Sequence, residues 1–229
     1  MPYDISVDGY GVITPQPLNA DEGFDHAGAS GLASSTIKDF WQWAYSDLVG
    51  NTDRGTLAEY IVAKAIGDER KTRNSWESFD LTAFDGTKVE VKSASFAQSW
   101  YQKQLTRVQF SIKKTQAWDP QTNTFIPPAM RHSDVYVFCL LAETVKVNLN
   151  PLDLNQWEFY VLATKGIDRD LGDGKSISLN QLKSHSRTYN INELAEAVSS
   201  ANQYEGDDQS DSLLELFRAR PTKPPGWVT

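Results

Sequence analysis

The chain has 229 residues, which fits one globular domain with extensions. Apolar residues make up 40% of it and charged residues 23%, so a sizeable core can form and a wholly disordered chain is excluded. The single cysteine, Cys139, excludes an internal disulfide, and three His with one Cys cannot supply a zinc-finger spacing. The net charge of −8 argues against nucleic-acid binding unless the charges are unevenly distributed.

The charges are in fact uneven. Residues 1–30 contain five acids and no Lys or Arg, and residues 205–215 show the same composition. Residues 88–114 contain six Lys or Arg and one acid, which gives six minus one, or +5. Such a basic segment in an acidic chain is either a solvated surface or a site that contacts phosphate groups.

Residues 1–33 are rich in Pro, Gly, Ala, Ser and Asp, and they are expected to form a loosely structured arm with a short edge strand within residues 5–13. The N-terminus has neither a basic segment nor an apolar one of the kind found in secretory leaders. No apolar stretch approaches the ~20 residues that a membrane span needs. A cytoplasmic soluble protein without membrane contact is therefore expected.

Two helices are predicted after the arm. Apolar residues recur at three- and four-residue steps after residues 34–36, which predicts a helix with one buried face that ends at residues 50–51. These apolar residues are Ile37, Phe40, Trp41, Ala44 and Leu48. A second helix is predicted over residues 54–66, with Thr52 or Asp53 as its cap and Gly67 as its stop. It carries Glu59 among residues that are expected to face the protein.

Strand patterns dominate the middle of the chain. Strands are predicted over residues 78–83, 87–92, 107–112, 134–141 and 157–162. Residues 115–131 contain three Pro and are predicted to be a loop, and helical patterns return at residues 178–183 and 191–201. The order predicts an α/β fold with a central mixed β-sheet flanked by helices. The core domain is expected to span residues 34–203, followed by an acidic, Pro-rich tail over residues 204–229 with a docking helix around Leu213–Phe217.

Three acids and one lysine are candidates for a common site. In a strand, residues two apart point to the same face, so Glu90 and Lys92 share one face while Val89 and Val91 pack into the other. The preceding strand supplies Asp80 in an apolar setting, and the second helix supplies Glu59. An exposed Glu–Lys pair would be the ordinary alternative for Glu90 and Lys92.

This set of residues suits phosphodiester cleavage. Mg²⁺ or Mn²⁺ takes oxygen ligands, and Asp80, Glu90 and the backbone carbonyl of Val91 are the expected ligands, with Glu59 holding a water or a second ion. Lys92 is expected to orient the attacking water, to stabilise the transition state or to act as the base.

The same residues resemble the PD-(D/E)XK nuclease superfamily, which includes type II restriction endonucleases and archaeal Holliday-junction resolvases. The motif reads Phe79-Asp80 followed by Glu90-Val91-Lys92, with Glu59 on the preceding helix. Phe79 stands where the family usually has a proline. The resemblance covers roughly residues 34–165 and implies a restriction endonuclease-like fold, metal-ligand roles for Asp80 and Glu90, a catalytic role for Lys92 and an auxiliary one for Glu59.

The hypothesis makes a demand on the turn between the two strands. A two-residue loop at Asp85-Gly86 would pair Asp80 with Val91 and place Asp80 and Glu90 on opposite faces. A three-residue loop, Asp85-Gly86-Thr87, would pair Thr82 with Glu90 and Asp80 with Lys92, and all the site residues would share one face. An odd-length turn or a bulge is therefore predicted.

Further candidates for substrate binding follow the motif. They are Ser93, Ser95, Gln98, Trp100, Tyr101, Lys103, Arg107, Lys113 and Lys114. Aromatic residues interleaved with cations suit base stacking and phosphate contact, although ordinary loop and surface roles explain the same residues.

The sequence thus predicts a metal-dependent nuclease that hydrolyses DNA, or alternatively RNA, as a restriction or defence enzyme. A homodimer is the usual arrangement for enzymes that cut both strands. The alternatives are a non-catalytic nucleic-acid-binding protein or a protein-interaction module on the same fold.

Overall fold

The structure is a computed structural model that describes residues 3–4, 14–24, 32–73 and 77–204. Its helices are α1 (Ile37–Ala44), α2 (Asn51–Ile66), α3 (Thr164–Leu171), α4 (Leu179–His185) and α5 (Leu194–Asn202), with 3₁₀ turns at Lys146–Asn148, Leu154–Gln156 and Ile191–Glu193. Its strands are β1 (Tyr3–Asp4), β2 (Thr14–Pro15), β3 (Leu81–Thr82), β4 (Lys88–Ser95), β5 (Gln109–Ser111), β6 (Thr115–Asp119), β7 (Thr124–Met130), β8 (Val135–Leu141), β9 (Trp157–Ala163) and β10 (Ser176–Ser178).

The central sheet has the order β3-β4-β8-β9. The pairs β3–β4 and β8–β9 are antiparallel, whereas β4–β8 is parallel, so the sheet is mixed. Helix α2 packs against β4, and α3, α4 and α5 pack against β9. The predicted α/β architecture, a mixed central sheet flanked by helices, is confirmed.

The apolar pattern of each strand explains its place in the sheet. Every side chain of β8 is buried, as expected for an inner strand that pairs on both sides and is covered on both faces. Strand β4 alternates instead: Val89 and Val91 are buried in the core, and Glu90 and Lys92 are only half-buried on the other face. Core packing therefore fixes the face on which the polar side chains of β4 lie.

The hairpin between β3 and β4 has the predicted odd-length loop, but the loop lies one residue earlier. Leu81 pairs with Val89 and Thr82 with Lys88, so the loop is 84–86 rather than 85–87. The predicted pairs of Thr82 with Glu90 and of Asp80 with Lys92 are wrong by two residues. A shift of two residues preserves the face, so Asp80 still lies on the side of Glu90.

Two local elements in the middle of the chain differ from the prediction. The predicted loop over residues 115–131 contains the β6–β7 hairpin. Pro120 lies in its turn, and Pro127 and Pro128 lie in β7 at the register shift opposite Thr115 and Ala117, where a strand tolerates residues without an N–H. Helix α3 was not predicted, because it follows β9 without an intervening loop and its first turn has no side-chain cap.

The first two helices also differ from the prediction. Helix α1 ends at Ala44, and none of its residues is fully buried, so the predicted buried face is wrong. Helix α2 begins at Asn51 after Gly50, without the predicted side-chain cap, and ends at Gly67 as predicted. The predicted edge strand within residues 5–13 and the predicted docking helix in the tail lie outside the described residues.

Within the described part of the chain, no helix combines the length and the apolar character that a membrane crossing requires.

Replacing glycine with alanine should lower the free energy of unfolding in the β3–β4 loop and raise it in α2. Gly86 has a φ of 88°, and a Cβ atom built on it meets no atom within 4 Å, so Gly86→Ala should lower the free energy of unfolding through backbone strain alone, by about 1 kcal/mol. Gly55 in α2 also has space for a Cβ, and Gly55→Ala should raise stability by about 0.5–1 kcal/mol. Urea unfolding of both variants tests this, and a neutral Gly86→Ala would contradict the need for a positive φ in the loop.

Candidate active site

Asp80 is the residue around which the candidate site is organised. It precedes β3, and its Oδ2 accepts a hydrogen bond of 2.8 Å from the backbone N–H of Val91 in β4. Its own N–H donates to the carbonyl of Val89 at 3.1 Å, and Nη2 of Arg70 donates to its carbonyl oxygen at 2.5 Å. The carboxylate is therefore held against the edge of β4 by contacts on both sides.

The environment of Asp80 disfavours its charge. Burial raises the pKa of its carboxyl to about 6, and the nearby carboxylates of Glu90 and Glu59 contribute to the rise. The hydrogen bond from Val91 and the charge of Lys92 act in the opposite direction without cancelling it. Asp80 thus lies where negative charge accumulates, as it does in many functional sites.

Glu90 and Lys92 lie on one face of β4 and form an ion pair between Oε1 and Nζ. Their side chains are 19% and 29% exposed, so both remain accessible. On the neighbouring strand β8, Tyr136 pairs with Glu90, and burial together with that carboxylate raises the pKa of the Tyr136 hydroxyl. The face of β4 predicted to carry the polar pair does carry it.

Glu59 reaches the same region from α2. Its carboxylate accepts hydrogen bonds from Arg73, one of them 2.9 Å from Nη2 to Oε1, and its side chain is only 14% exposed. The hydrogen bond with Glu59 raises the pKa of Arg73, and the charge of Asp80 adds to the rise, so Arg73 lies within electrostatic reach of both acids. Sequence reasoning did not find Arg73 or Arg70, because they lie in an irregular segment between α2 and β3 that matches no motif.

The acids do not form a closed cage. Among residues 3–4, 14–24, 32–73 and 77–204, no three Asp, Glu, His or Cys side chains come close enough together to hold a metal ion. Glu59 is bound to Arg73 and Glu90 to Lys92, so cationic side chains contact oxygens that a metal ion would otherwise take. Asp80 has no such partner among the residues that the structure describes, and its carboxylate accepts a hydrogen bond from a backbone N–H.

The backbone adds another oxygen at this place. The N–H and C=O of one strand residue point to the same neighbouring strand. Because the Val91 N–H is bonded to Asp80, the Val91 carbonyl lies at the same edge of β4 as the Asp80 carboxylate. The carboxylates of Asp80 and Glu90 and the carbonyl of Val91, all hard oxygen donors, are thus available at this part of β4.

Two clefts meet at Asp80. One, of about 540 Å³, is lined by Asp80, Glu90 and residues of the β6–β7 hairpin, including Trp118 and Phe125. The other, of about 550 Å³, is lined by Asp80, Glu59, Arg73 and further residues of α2 and the segment after it. Asp80 therefore forms part of the wall of both clefts.

Three predicted substrate-binding residues belong to a polar network around a buried arginine. Arg54 donates to Ser93 Oγ at 3.3 Å and to Gln98 Oε1 at 3.4 Å. Gln98 also donates to the carbonyl of Ser95 at 3.0 Å, and Ser95 donates to the carbonyl of Leu141 at 3.2 Å. These contacts are structural, and a role in substrate binding for Ser93, Ser95 and Gln98 stays a prediction.

The remaining predicted substrate-binding residues lie away from the clefts. Trp100, Tyr101, Lys103, Arg107 and Lys113 are exposed, and Lys114 forms an ion pair of 2.8 Å with Asp173. They are not among the residues that line either cleft. Trp118 and Phe125, which do line one, were missed because their segment was predicted to be a loop.

Comparison with protein families places this geometry in context. Residues 36–181, more than half of the chain, match the family model described as bacteriophage T4 endonuclease IV. The matched segment contains Glu59, Asp80, Glu90 and Lys92. A comparison with curated proteins gives no match. The family match supports an endonuclease function, which implies a nucleic-acid substrate. The chain belongs to the bacteriophage T4 endonuclease IV family.

Proposed function

We propose that the chain is a metal-dependent DNA endonuclease of the PD-(D/E)XK type, with Asp80, Glu90 and Lys92 as its catalytic residues and Glu59 as an auxiliary one. The observation that supports this most strongly is that Asp80 and Glu90 line one cleft, on one face of β4, beside Lys92. The family match supports the endonuclease part of the proposal. The preference for DNA rests on the resemblance to restriction endonucleases and resolvases.

The residues fit a divalent cation. Mg²⁺ typically takes one or two carboxylates and completes its shell with waters and phosphate oxygens, so a closed cage of three acids is not required. Asp80, Glu90 and the Val91 carbonyl would hold Mg²⁺ or Mn²⁺, and Glu59 would contact it through a water. The ion, when bound, lowers the pKa of a water and neutralises charge on the phosphate.

Binding of a divalent cation would give Asp80 a counter-ion and would replace Lys92 as the partner of Glu90. Burial and the neighbouring carboxylate of Glu90 raise the pKa of Asp80, so its ionised form is unfavourable without a counter-ion. Glu90 is bound to Lys92, and a cation on the Glu90 carboxylate would free the Lys92 ammonium group. The same acids that repel each other without a counter-ion would then become its ligands.

Lys92 would then act on the reacting atoms. Hydrolysis forms a bond between a water oxygen and phosphorus and breaks one ester P–O bond, and the leaving oxygen takes up a proton. The Lys92 ammonium group would hydrogen-bond the attacking water or a non-bridging phosphate oxygen, where charge accumulates in the transition state. Glu59, held by Arg73, would fix a water at the edge of the site.

The first test is cleavage of DNA and RNA with and without Mg²⁺. Asp80→Asn, Glu90→Gln and Lys92→Met should each lower kcat by about 100-fold or more, because each removes a ligand or a group that acts on the transition state. Matched controls are Glu158→Gln and Lys183→Met, which disrupt a comparable Glu–Lys ion pair of 3.6 Å on β9 and α4. The controls should retain wild-type activity. Equal cleavage by all five variants would overturn the proposal, and binding without cleavage by the wild type would favour the non-catalytic alternative.

A second test uses stability and pH. The folded-state pKa of Asp80, about 6, exceeds the ordinary value of about 3.9, so ionised Asp80 destabilises the fold, and this cost develops as pH rises from about 4 to 6. In EDTA at pH 8, Asp80→Asn should therefore raise the free energy of unfolding by about 1–2 kcal/mol, and the gain should vanish at pH 4.

Addition of Mg²⁺ distinguishes a charge cost specific to Asp80 from a general effect of replacing an acid. It should raise the Tm of the wild type, because a ligand of the folded state stabilises it, and should not raise the Tm of Asp80→Asn. Asp173→Asn is the control, because an ion pair with Lys114 lowers the pKa of Asp173 and its ionised form is already compensated. A destabilised Asp80→Asn at pH 8 would contradict the charge cost assigned to Asp80.

A further inference from the structure

The β6–β7 hairpin, residues 115–130, carries a pair of aromatic rings at the candidate site. Trp118 and Phe125 are paired across the two strands, and their ring centroids lie 4.9 Å apart at an interplanar angle of 67°. Phe125 is 63% exposed, and every side chain of β7 is exposed. Core packing therefore does not explain why this strand places a large aromatic ring here.

The rings share a cleft with the proposed catalytic acids. Nine described residues line it: three acids, three aromatics and three neutral polar residues, with no Lys or Arg among them. The acids are Glu77, Asp80 and Glu90, and the aromatics are Phe79, Trp118 and Phe125. The cleft thus combines flat π surfaces with carboxylates, which repel a phosphate unless a cation lies between the two.

The hairpin is anchored at its base. Arg131, which follows β7, is buried, and it donates to the carbonyls of Ile112 at 2.8 Å, Gly172 at 3.0 Å and Gly174 at 3.0 Å. Ile112 lies just before β6, so Arg131 ties both ends of the hairpin to the domain.

The tip is also ordered by hydrogen bonds. Asp119 accepts from the N–H of Gln121 at 2.9 Å and from the hydroxyl of Thr122 at 2.7 Å. A register shift between Thr115 and Ala117 places a bulge beside the cleft, which Gln116 lines. Bulges of this kind often redirect side chains next to a functional site.

We propose that Trp118 and Phe125 stack one unpaired base of the nucleic-acid strand whose phosphate is held at Asp80 and Glu90. This inference rests on the proposed function. An apolar peptide or lipid would bury the Asp80 carboxylate further without supplying a charge of opposite sign, which is unfavourable. A nucleotide brings an aromatic base to the rings and, with its counter-ion, a phosphate to the acids. Stacking requires no particular base, because every base has a π face.

Other exposed aromatics provide a contrast within the same chain. Trp43 in α1 is 83% exposed, and it does not line either cleft next to Asp80. It supplies a matched control, a solvent-exposed tryptophan without the proposed contact.

The test is a double-mutant cycle between protein and substrate. The substrates are a single-stranded oligodeoxynucleotide and a series in which one nucleotide at a time near the cut is replaced by an abasic residue. Trp118→Leu should raise KM by about 5–100-fold with little change in kcat, the range expected for loss of one stacked base. One abasic position should produce a similar rise in the wild type and no further rise in Trp118→Leu. Trp43→Leu should keep the wild-type KM and the full abasic effect.

Binding is measured separately from cleavage. Fluorescence anisotropy with the labelled oligonucleotides and Mg²⁺ compares Asp80→Asn with Asp80→Asn/Trp118→Leu. Base-dependent binding through Trp118 without cleavage by the wild type would uphold this inference and overturn the proposed function. Cleavage by the wild type together with an unchanged KM in Trp118→Leu would uphold the proposed function and overturn the stacking role of Trp118.

Two further outcomes would overturn the stacking role. In one, the increase in KM caused by Trp118→Leu and the increase caused by each abasic position are independent, so that together they multiply. Such independence would show that the Trp118 ring contacts no base. A change of oligomeric state in Trp118→Leu, measured by sedimentation, with no base-dependent loss, would assign the rings to an interface between copies. Phe125→Leu serves as a second variant on the same ring pair, and it should show the same cycle with the same abasic position.

Discussion

The hydrogen bond from the Val91 N–H to the Asp80 carboxylate is the contact on which the arrangement of the site depends. It continues the β3–β4 pairing beyond Leu81 with a side chain in place of a backbone carbonyl. One carboxylate oxygen is thus fixed at the edge of β4, next to the face that carries Glu90 and Lys92. The burial of Val89 and Val91 prevents β4 from turning that face away.

The charge arrangement explains why such a site costs stability. Glu90 and Glu59 each have a cationic partner, Lys92 and Arg73. The Asp80 carboxylate is buried near both acids, and within the described part of the chain its hydrogen-bond donor is a backbone N–H. A fold selected for stability alone would place a neutral residue there. Retaining the charge is consistent with a site that binds something positive, and functional sites commonly carry such a cost.

The sequence predicted the parts of the fold that depend on hydrophobic period. The continuous apolar run predicted β8, and the alternation of apolar and polar residues predicted β4, because the burial of a strand determines both patterns. The odd length of the β3–β4 loop followed from the requirement that Asp80 and Glu90 share a face. Its position did not follow, because the loops 84–86 and 85–87 preserve the face equally well.

Other parts depended on information that no short pattern carries. The β6–β7 hairpin has almost no buried face, so its strands lack the alternation that burial imposes. Arg73 reaches Glu59 from an irregular segment, and this contact is set by tertiary packing. The positions of the candidate residues on regular elements were therefore predictable, whereas the positions of Arg73 and of the aromatic rings around them were not.

The basic segment 88–114 has a different meaning in the folded chain. Lys92 and Lys114 are paired with acids, and Lys88 lies over the ring of Phe79, 5.3 Å from its centroid, so three of the six cations make contacts within the fold. Of the two clefts at Asp80, the one lined by Lys64, Arg70, Lys71 and Arg73 also has cations, whereas the one shared with Glu90 has acids and aromatic rings instead. Attraction of phosphate by a basic groove therefore does not account for substrate binding at this cleft. A cation held by the carboxylates and stacking on the hairpin would supply it, which is how a protein with a net charge of −8 can act on a polyanion.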